Sequence, residues 1–310
     1  MPSTFGPLAK PVPGLTGIVQ VAAGRFDSMG LRNDGTVWAW GANNHYQLGN
    51  NGTQPSAVPR TVPFLGGITQ IANGGSNGLA MTGTNGNVYG WGANDHGQVG
   101  VGTTTDVHLA TFLQSSIGVT QIAAGGAHSL AVMGTDHALL AWGDNSTGAF
   151  GDGTTISSTL PHRTGFTGIA KIAAGCCGES MAVRTDGSVW TFGDNGDGAL
   201  GTGSTAPFSV TPQQLPTLVA ATSPSSGFGF DGVIAQSTVA AVPNVYGDDV
   251  GTASDELGNA GFAVDVRTFV DNNCVSIDQV NNQSPAAGSI ASVGSTVTIW
   301  VGEQPPHPCP

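Results

Sequence analysis

The chain has 310 residues, of which 49 are glycine and only 9% are charged. Its net charge is −12, with seven basic against eleven acidic side chains up to residue 220 and one against nine beyond it. No surface able to neutralise phosphates exists in that balance, so nucleic acid is excluded as a partner and an anionic membrane is disfavoured.

Glycine without a three-residue period excludes collagen, and regular apolar runs argue for a folded chain. An all-β protein with many tight turns remains, because glycine supplies the positive φ such turns need. No apolar run approaches the ~20 residues that span a bilayer. The start, Met1-Pro2-Ser3-Thr4-Phe5, lacks the basic and apolar regions of a signal peptide. Pro11–Gly17 resembles the later connector Val62–Gly67, so the chain is expected to begin in mid-array, with an N-terminus missing.

One stretch then returns four times. It reads V-W-A-W-G-A-N-N-H-Y-Q-L-G over Val37–Gly49, and its copies run over Val88–Gly100, Leu139–Gly151 and Val189–Gly201. The glycine shared by all copies falls at Gly41, Gly92, Gly143 and Gly193, a period of 51, 51 and 50 residues. Such a period marks one supersecondary unit copied in series. Each unit opens on a half-buried strand, as in Ile68-Thr69-Gln70-Ile71-Ala72, followed by a glycine and a second strand. Asn33-Asp34-Gly35, Thr84-Asn85-Gly86 and Thr185-Asp186-Gly187 then predict hairpin turns. Asp136-His137 in the third copy predicts a different turn type. The third strand carries the pairs Trp38/Trp40, Tyr89/Trp91, Leu140/Trp142 and Trp190/Phe192. Two residues apart, each pair shares a face, and packing between neighbouring units is the expected role. A fourth strand is expected in the variable connector. One small sheet of this kind does not bury its own faces, so the copies must stack as propeller blades.

These residues resemble the regulator of chromosome condensation repeat family. Residues 118–151 carry the resemblance best, through Ala123-Ala124-Gly125 and His128-Ser129-Leu130. It covers residues 17–203 and implies a mainly β, repeat-built propeller of at least four blades, part of a seven-bladed one. The units are placed near 17–66, 67–117, 118–167 and 168–220, within a region 1–222. Nucleotide exchange on a small GTPase, the activity best known in that family, rests on loops that nothing here matches.

Residues 223–240 read as a linker or degenerate repeat. Beyond them, Asp248 to Gly261 predict a short helix with Val250, Ala253 and Leu257 on one face. Strands are expected at Phe262–Val266, Cys274–Val280 and Thr296–Val301. Val242-Pro243-Asn244-Val245, Gly247, Ala260-Gly261, Gln283–Gly288 and Gly294–Thr298 resemble the PASTA domain, a βαββ module, placed at 241–302 with a tail at 303–310. That resemblance implies an extracellular or cell-surface setting and peptidoglycan fragments as a ligand class.

Four cysteines are present. Cys274 opens an expected strand and Cys309 lies at the module's end, so a disulfide between them is expected. Cys176-Cys177 occupy the turn that holds Gly75-Ser76 or Gly126-Ala127 in other copies. A vicinal disulfide or pairing elsewhere stays open there, and without a C-x-x-C redox catalysis is not expected.

No catalytic constellation stands out. Gly74–Gly78 fits a nucleophile elbow but occupies an ordinary repeat slot. Asp194–Gly198 looks like half a calcium loop without its bidentate glutamate. His45 and His96 share one loop position, too few ligands for a metal, and no cofactor is expected. The loops after each Gly-x-Asn are the expected recognition sites: Asn43, Asn44, His45, Asn94, Asp95, His96, Asn145, Asp194, Asn195 and Asp197. The resulting expectation is a bacterial binding protein that takes a protein or glycan on these loops. A hydrolase or lyase acting on wall polymer and a passive spacer are the alternatives.

Overall fold

Short runs of alternating apolar and polar or small residues, cut by glycine turns, favour antiparallel strands over helices. The computed structural model describes residues 11–226, 231–237 and 239–306. Each repeat in it is a four-stranded sheet joined in chain order. Blade one comprises β1 (Ile18–Ala23), β2 (Asp27–Arg32), β3 (Val37–Gly41) and β4 (Ser56–Thr61). Blade two comprises β5 (Ile68–Asn73), β6 (Asn77–Thr82), β7 (Val88–Gly92) and β8 (Val107–Phe112). Blade three comprises β9 (Val119–Ala124), β10 (His128–Met133), β11 (Leu139–Gly143) and β12 (Ser158–Arg163). Blade four comprises β13 (Ile169–Ala174), β14 (Glu179–Arg184), β15 (Val189–Asp194) and β16 (Phe208–Gln214). The fourth strand does lie in the connector. A two-stranded sheet follows, β17 (Leu218–Ser226) with β18 (Asp231–Ser237).

The turn in blade three is not the exception its sequence predicts. His137 takes the left-handed position at φ 53 that Gly35, Gly86 and Gly187 take in the other copies. The real division is in loop length. Arg32 N–H reaches Thr36 O and Arg184 N–H reaches Ser188 O, whereas Thr82 reaches Asn87 and Met133 reaches Ala138, one residue further.

Two devices join neighbouring blades. In the first, the second aromatic of each pair is buried under the preceding blade: Trp91, Trp142 and Phe192 are each 0% exposed. Trp91 Nε1 donates to Gln47 O at 2.9 Å and Trp142 Nε1 donates to Gln98 O at 2.8 Å, both carbonyls on the preceding loop. The last glycine of that loop lies on the ring. A Cβ at Gly100 would stand 2.7 Å from Trp142 Nε1, and its φ of +88 also demands glycine. Trp40, with no blade before it among the described residues, is only half-buried.

The second device is a glutamine clamp. Gln20 Nε2 donates to Ile71 O at 2.8 Å while Ile71 N–H donates to Gln20 Oε1 at 2.9 Å. Gln70 holds Ile122 in the same way, at 3.2 and 3.1 Å. Gln121 Oε1 accepts from Ile172 N at 3.0 Å. Blade four has the exposed Lys171 in this slot. In the strand after it, Ala220 takes the left-handed position of Gly168, and Ala221 N–H donates to Gly187 O at 3.2 Å. Counting from there, Pro224 falls where Ile122 and Ile172 stand, with no N–H to clamp. Val21, the counterpart in blade one, is 70% exposed against 2% for Ile71 and Ile122.

The chain divides into two compact units, and residues from Gln236 onward belong with the short Pro216–Val219 segment to the second. The second unit holds β19 (Val239–Ala241), α1 (Val250–Asn259), β20 (Ala263–Val270), β21 (Val280–Ser284), β22 (Ile290–Ser292) and β23 (Thr296–Glu303). β23 is central, parallel to β20 and antiparallel to β21, while β19 pairs with β22. Asp249 caps α1 by accepting from Gly251 and Thr252 N–H at 2.9 and 3.0 Å. Ala253 and Leu257 of the helix are buried in one core with Val297 and Ile299 of β23.

The expected strand Cys274–Val280 is a loop up to Val280. The Asp271 carboxylate accepts the backbone N–H of Asn273, Val275 and Ser276 at 3.0, 2.9 and 2.7 Å, and Cys274 and Asp278 are left-handed. Backbone donors captured by a side chain are lost to a sheet. Those same hydrogen bonds, the one from Ser276 foremost, hold the Asp271 pKa below the usual carboxylate range. Cys309, the expected partner of Cys274, lies outside the described residues.

Gln70→Ala leaves two backbone groups of Ile122 without their partner, and a loss of roughly 1–3 kcal/mol is expected. Lys171→Ala, at the unclamped slot, is expected to stay within about 0.5 kcal/mol. Urea denaturation of the full chain measures both.

Candidate functional site

The glycine after each first strand makes the site. Gly24, Gly74, Gly125 and Gly175 each close their turn by donating to the backbone carbonyl of Asp27, Asn77, His128 or Glu179. The turns then bond to one another across blades. Arg25 N–H donates to Gly75 O at 3.3 Å, Gly75 to Gly125 O at 3.2 Å, and Gly126 to Gly175 O at 3.0 Å. Only glycine permits so close a stack: a Cβ at Gly74 would lie 2.2 Å from Gly125 O. A groove of about 660 Å³ runs along this ladder. Its lining adds Arg25, His45, Asp95, His96, Asp106 and the pair Cys176/Cys177 to the glycine turns. His45 Nδ1 lies 3.0 Å from Asp106 Oδ2, and His96 Nε2 lies 3.5 Å from Asp95 Oδ2.

Of the residues predicted from sequence, the structure brings His45, Asp95 and His96 together on this groove. Asn44, Asp194 and Asp197 lie outside its lining. The four asparagines are turned inward. Asn94 Oδ1 accepts from Val99 N–H at 2.9 Å while its Nδ2 donates to Thr103 O at 2.9 Å and Thr105 O at 3.0 Å. Asn43, Asn145 and Asn195 repeat this geometry, each accepting from the residue five ahead and donating to carbonyls nine and eleven ahead. All four are at most 5% exposed. The loops they shape are tied to the next blade as well. Tyr46 stacks on His108 with centroids 3.7 Å apart, Gly102 N–H donates to Thr159 O, and Gly153 N–H donates to Val210 O. Arg25, Asp106 and the stacking of the glycine turns escaped the sequence reading. The glycine after each first strand was legible as a recurring position, whereas Asp106, just before β8 in the variable connector, gave no repeating signal.

Behind the ladder sits one polar residue per blade, at the first position of the second strand: Asp27, Asn77, His128 and Glu179, each at most 4% exposed. Burial, the larger effect, pushes the Asp27 pKa up to about 6 against the opposing hydrogen bond from Asn73 Nδ2 at 2.7 Å. Burial likewise pushes His128 down to about 4, with the nearby Asp144 charge opposing it. His128 is therefore neutral near pH 7, its Nε2 lying 3.0 Å from Ser180 Oγ of the next blade. Among the described residues no cluster of three or more His, Cys, Asp or Glu is arranged to hold a metal ion.

Repeat, blade and seam together decide the family. Residues 34–81, 85–132 and 186–228 match the Regulator of chromosome condensation (RCC1) repeat, and residues 18–47, 68–98 and 119–149 match a second form of it. The chain belongs to the RCC1 repeat family. Residues 240–303 match the PASTA domain. Human E3 ubiquitin-protein ligase HERC2 is 39% identical over 119 residues, which cover 37% of this chain and 2% of HERC2. The RCC1 domain-containing protein RUG3, mitochondrial, of Arabidopsis thaliana is 37% identical over 119 residues, 37% of this chain and 26% of its own length. The chain thus spans a small part of these curated relatives. Among solved structures, Prp20p of Saccharomyces cerevisiae superposes with a TM-score of 0.64 at 23% identity, over 73% of this chain and 58% of Prp20p. Human WBSCR16 gives 0.62 at 24%, over 71% and 58%. These two share the RCC1 propeller fold with the repeats described above.

The buried polar row of the RCC1 blades gives opposite pH dependences. Asp27 has a folded pKa above its unfolded one, so its contribution to stability is full below about pH 4 and lost as pH rises through about 6. His128 has a folded pKa below its unfolded one, so its contribution is present above about pH 6.5 and lost as pH falls toward 4. Asp27→Asn, the residue blade two carries at this slot, is expected to raise the melting temperature at pH 7.5 by roughly 5 °C, a gain that vanishes by pH 4. His128→Gln is expected to flatten the acid limb between those pH values. Thermal melts from pH 4 to 8 read both.

Proposed function

We propose that this chain is a bacterial binding protein of the cell surface or extracellular space, whose propeller groove takes a protein or glycan and whose PASTA domain takes cell-wall peptide. The observation that carries this reading is the groove itself. Four consecutive blades contribute backbone turns to one continuous floor, and the side chains beside it come from different blades. A concave site of this volume with few convergent polar groups is the usual form of a recognition site. Arg25, the carboxylates Asp95 and Asp106 and the imidazoles of His45 and His96 equip it for hydrogen bonds of both polarities. The acidic second unit favours ligands that carry cationic groups, since an anionic fragment would approach against the field of eight Asp and Glu side chains. A disulfide between Cys274 and Cys309 belongs to the same proposal, as a staple on a small domain set outside the cell.

Soluble peptidoglycan fragments and an immobilised glycan panel, titrated against the full chain, test the proposal. His96→Ala combined with Arg25→Ala is expected to weaken groove ligands about tenfold or more, corresponding to the loss of two polar contacts. The same variant should leave any wall-fragment binding by the PASTA domain unchanged. No binding to any probe, or cleavage of one, overturns the reading.

A further inference from the structure

Blade four departs from its neighbours on the groove wall. From ladder glycine to second strand, the other blades run Gly24–Asp27, Gly74–Asn77 and Gly125–His128; blade four runs Gly175–Glu179, one residue more. The backbone shows where the extra residue goes. Ala42, Ala93 and Asp144 donate N–H to Phe26, Ser76 and Ala127 O, and Asp194 donates to Gly178 O at 3.0 Å. Gly178 therefore stands where Ser76 and Ala127 stand, which corrects the alignment of Cys177 with those positions. Cys176 keeps the slot of Gly126, on whose backbone it packs. Cys177 is the insert. Gly178 absorbs it at φ +100, and Glu179 Oε2 accepts the Cys177 N–H at 3.0 Å. The inserted side chain is exposed, and its Sγ lies 2.9 Å from Cys176 Sγ. Both residues are thiols that line the groove.

We propose that Cys176 and Cys177 form a thiol–disulfide exchange site whose co-reactants are low-molecular-weight disulfides. The exposed Cys177 thiolate attacks one sulfur of R–S–S–R. That S–S bond breaks, and RS⁻ leaves and takes a proton from solvent. Cys176, deprotonated, then attacks Cys177 Sγ. The mixed disulfide breaks, a second RS⁻ leaves and is protonated, and the Sγ–Sγ bond forms. Two protein thiols are oxidised and one small disulfide is reduced to two thiols, with every step reversible. The second step needs the sulfurs to close from 2.9 Å to about 2.05 Å. Held in contact, they react intramolecularly at an effective concentration that external disulfide does not match. Ring closure constrains the Cys176 carbonyl that packs against Gly126, so the oxidation state is felt on the groove wall. The proposal stands independently of what the groove binds.

The test uses the full chain, reduced, freed of reductant and incubated with excess oxidised glutathione at pH 8. After acid quench and trypsin, mass spectrometry follows the peptide 172–184, which carries both cysteines. It is expected to lose two hydrogens, retain no glutathione and recover on reduction. Cys176→Ser is expected to accumulate one stable glutathione adduct on Cys177. Cys177→Ser is expected to form its adduct about tenfold more slowly, since Cys176 is the less exposed thiol. A wild-type peptide that stays reduced, or that stably carries glutathione on one or both cysteines, overturns the proposal.

Discussion

Everything in the propeller depends on how one blade is held to the next. A single four-stranded sheet has two faces and no core, so its stability is borrowed from its neighbours. Two pieces meet in each of the three seams between blades, an aromatic ring and a loop glycine that makes room for it, and at Trp91 and Trp142 a loop carbonyl also takes the ring N–H. Trp142 illustrates the coupling. Its ring fills the space under Gly100, its N–H is satisfied by Gln98 O, and the same carbonyl accepts from Ser129 Oγ at 2.8 Å. The buried asparagine shapes the loop that offers these groups, so the residue following each strand exists to receive the next blade. The glutamine clamp adds a second point of attachment nearer the glycine ladder, and two points fix an angle where one leaves a hinge.

That arrangement explains what sequence reasoning reached and what it missed. The period, the strands and the burial of Trp91, Trp142 and Phe192 were legible because each is a local pattern repeated at the same offset. An asparagine repeated straight after a strand is most economically a loop-fixing group, and the placement of the amides shows that use, although the same asparagines also stand among the expected recognition residues. Gln70 sits in an alternating strand, where a polar residue normally signals a solvated face, so its engagement with Ile122 left no trace in the pattern. Cys274–Val280 alternates as a strand should, yet Asp271 stands just before it and captures the donors that a sheet would need. The groove was illegible for a plainer reason. Its lining comes from residues about fifty positions apart, joined by turns whose convergence is a property of the stack.

The row of Asp27, Asn77, His128 and Glu179 shows how a repeat tolerates variation under one constraint. The slot asks for a residue whose backbone carbonyl closes the turn and whose side chain fits beneath the ladder glycine. Polar groups meet that demand at a cost in desolvation, and burial is the largest cause of the raised pKa of Asp27 and the lowered pKa of His128. Close to the groove floor, such groups tie fold stability to protonation within a few ångströms of the site.

The clamp series ends at Lys171, and the strand beyond offers Pro224 in place of a donor. In a linear stack, cooperativity is the product of the couplings between nearest neighbours, and one weak link divides the array into independently opening segments. Blades one to four are linked by three clamps in succession. Among the described residues the segment after Lys171 adds no fourth, so the amide protons of residues 221–226 are expected to exchange with solvent without requiring the blades before them to open. The chain thereby carries a built-in fracture plane, a place where the propeller frays while the glycine ladder and its groove stay intact.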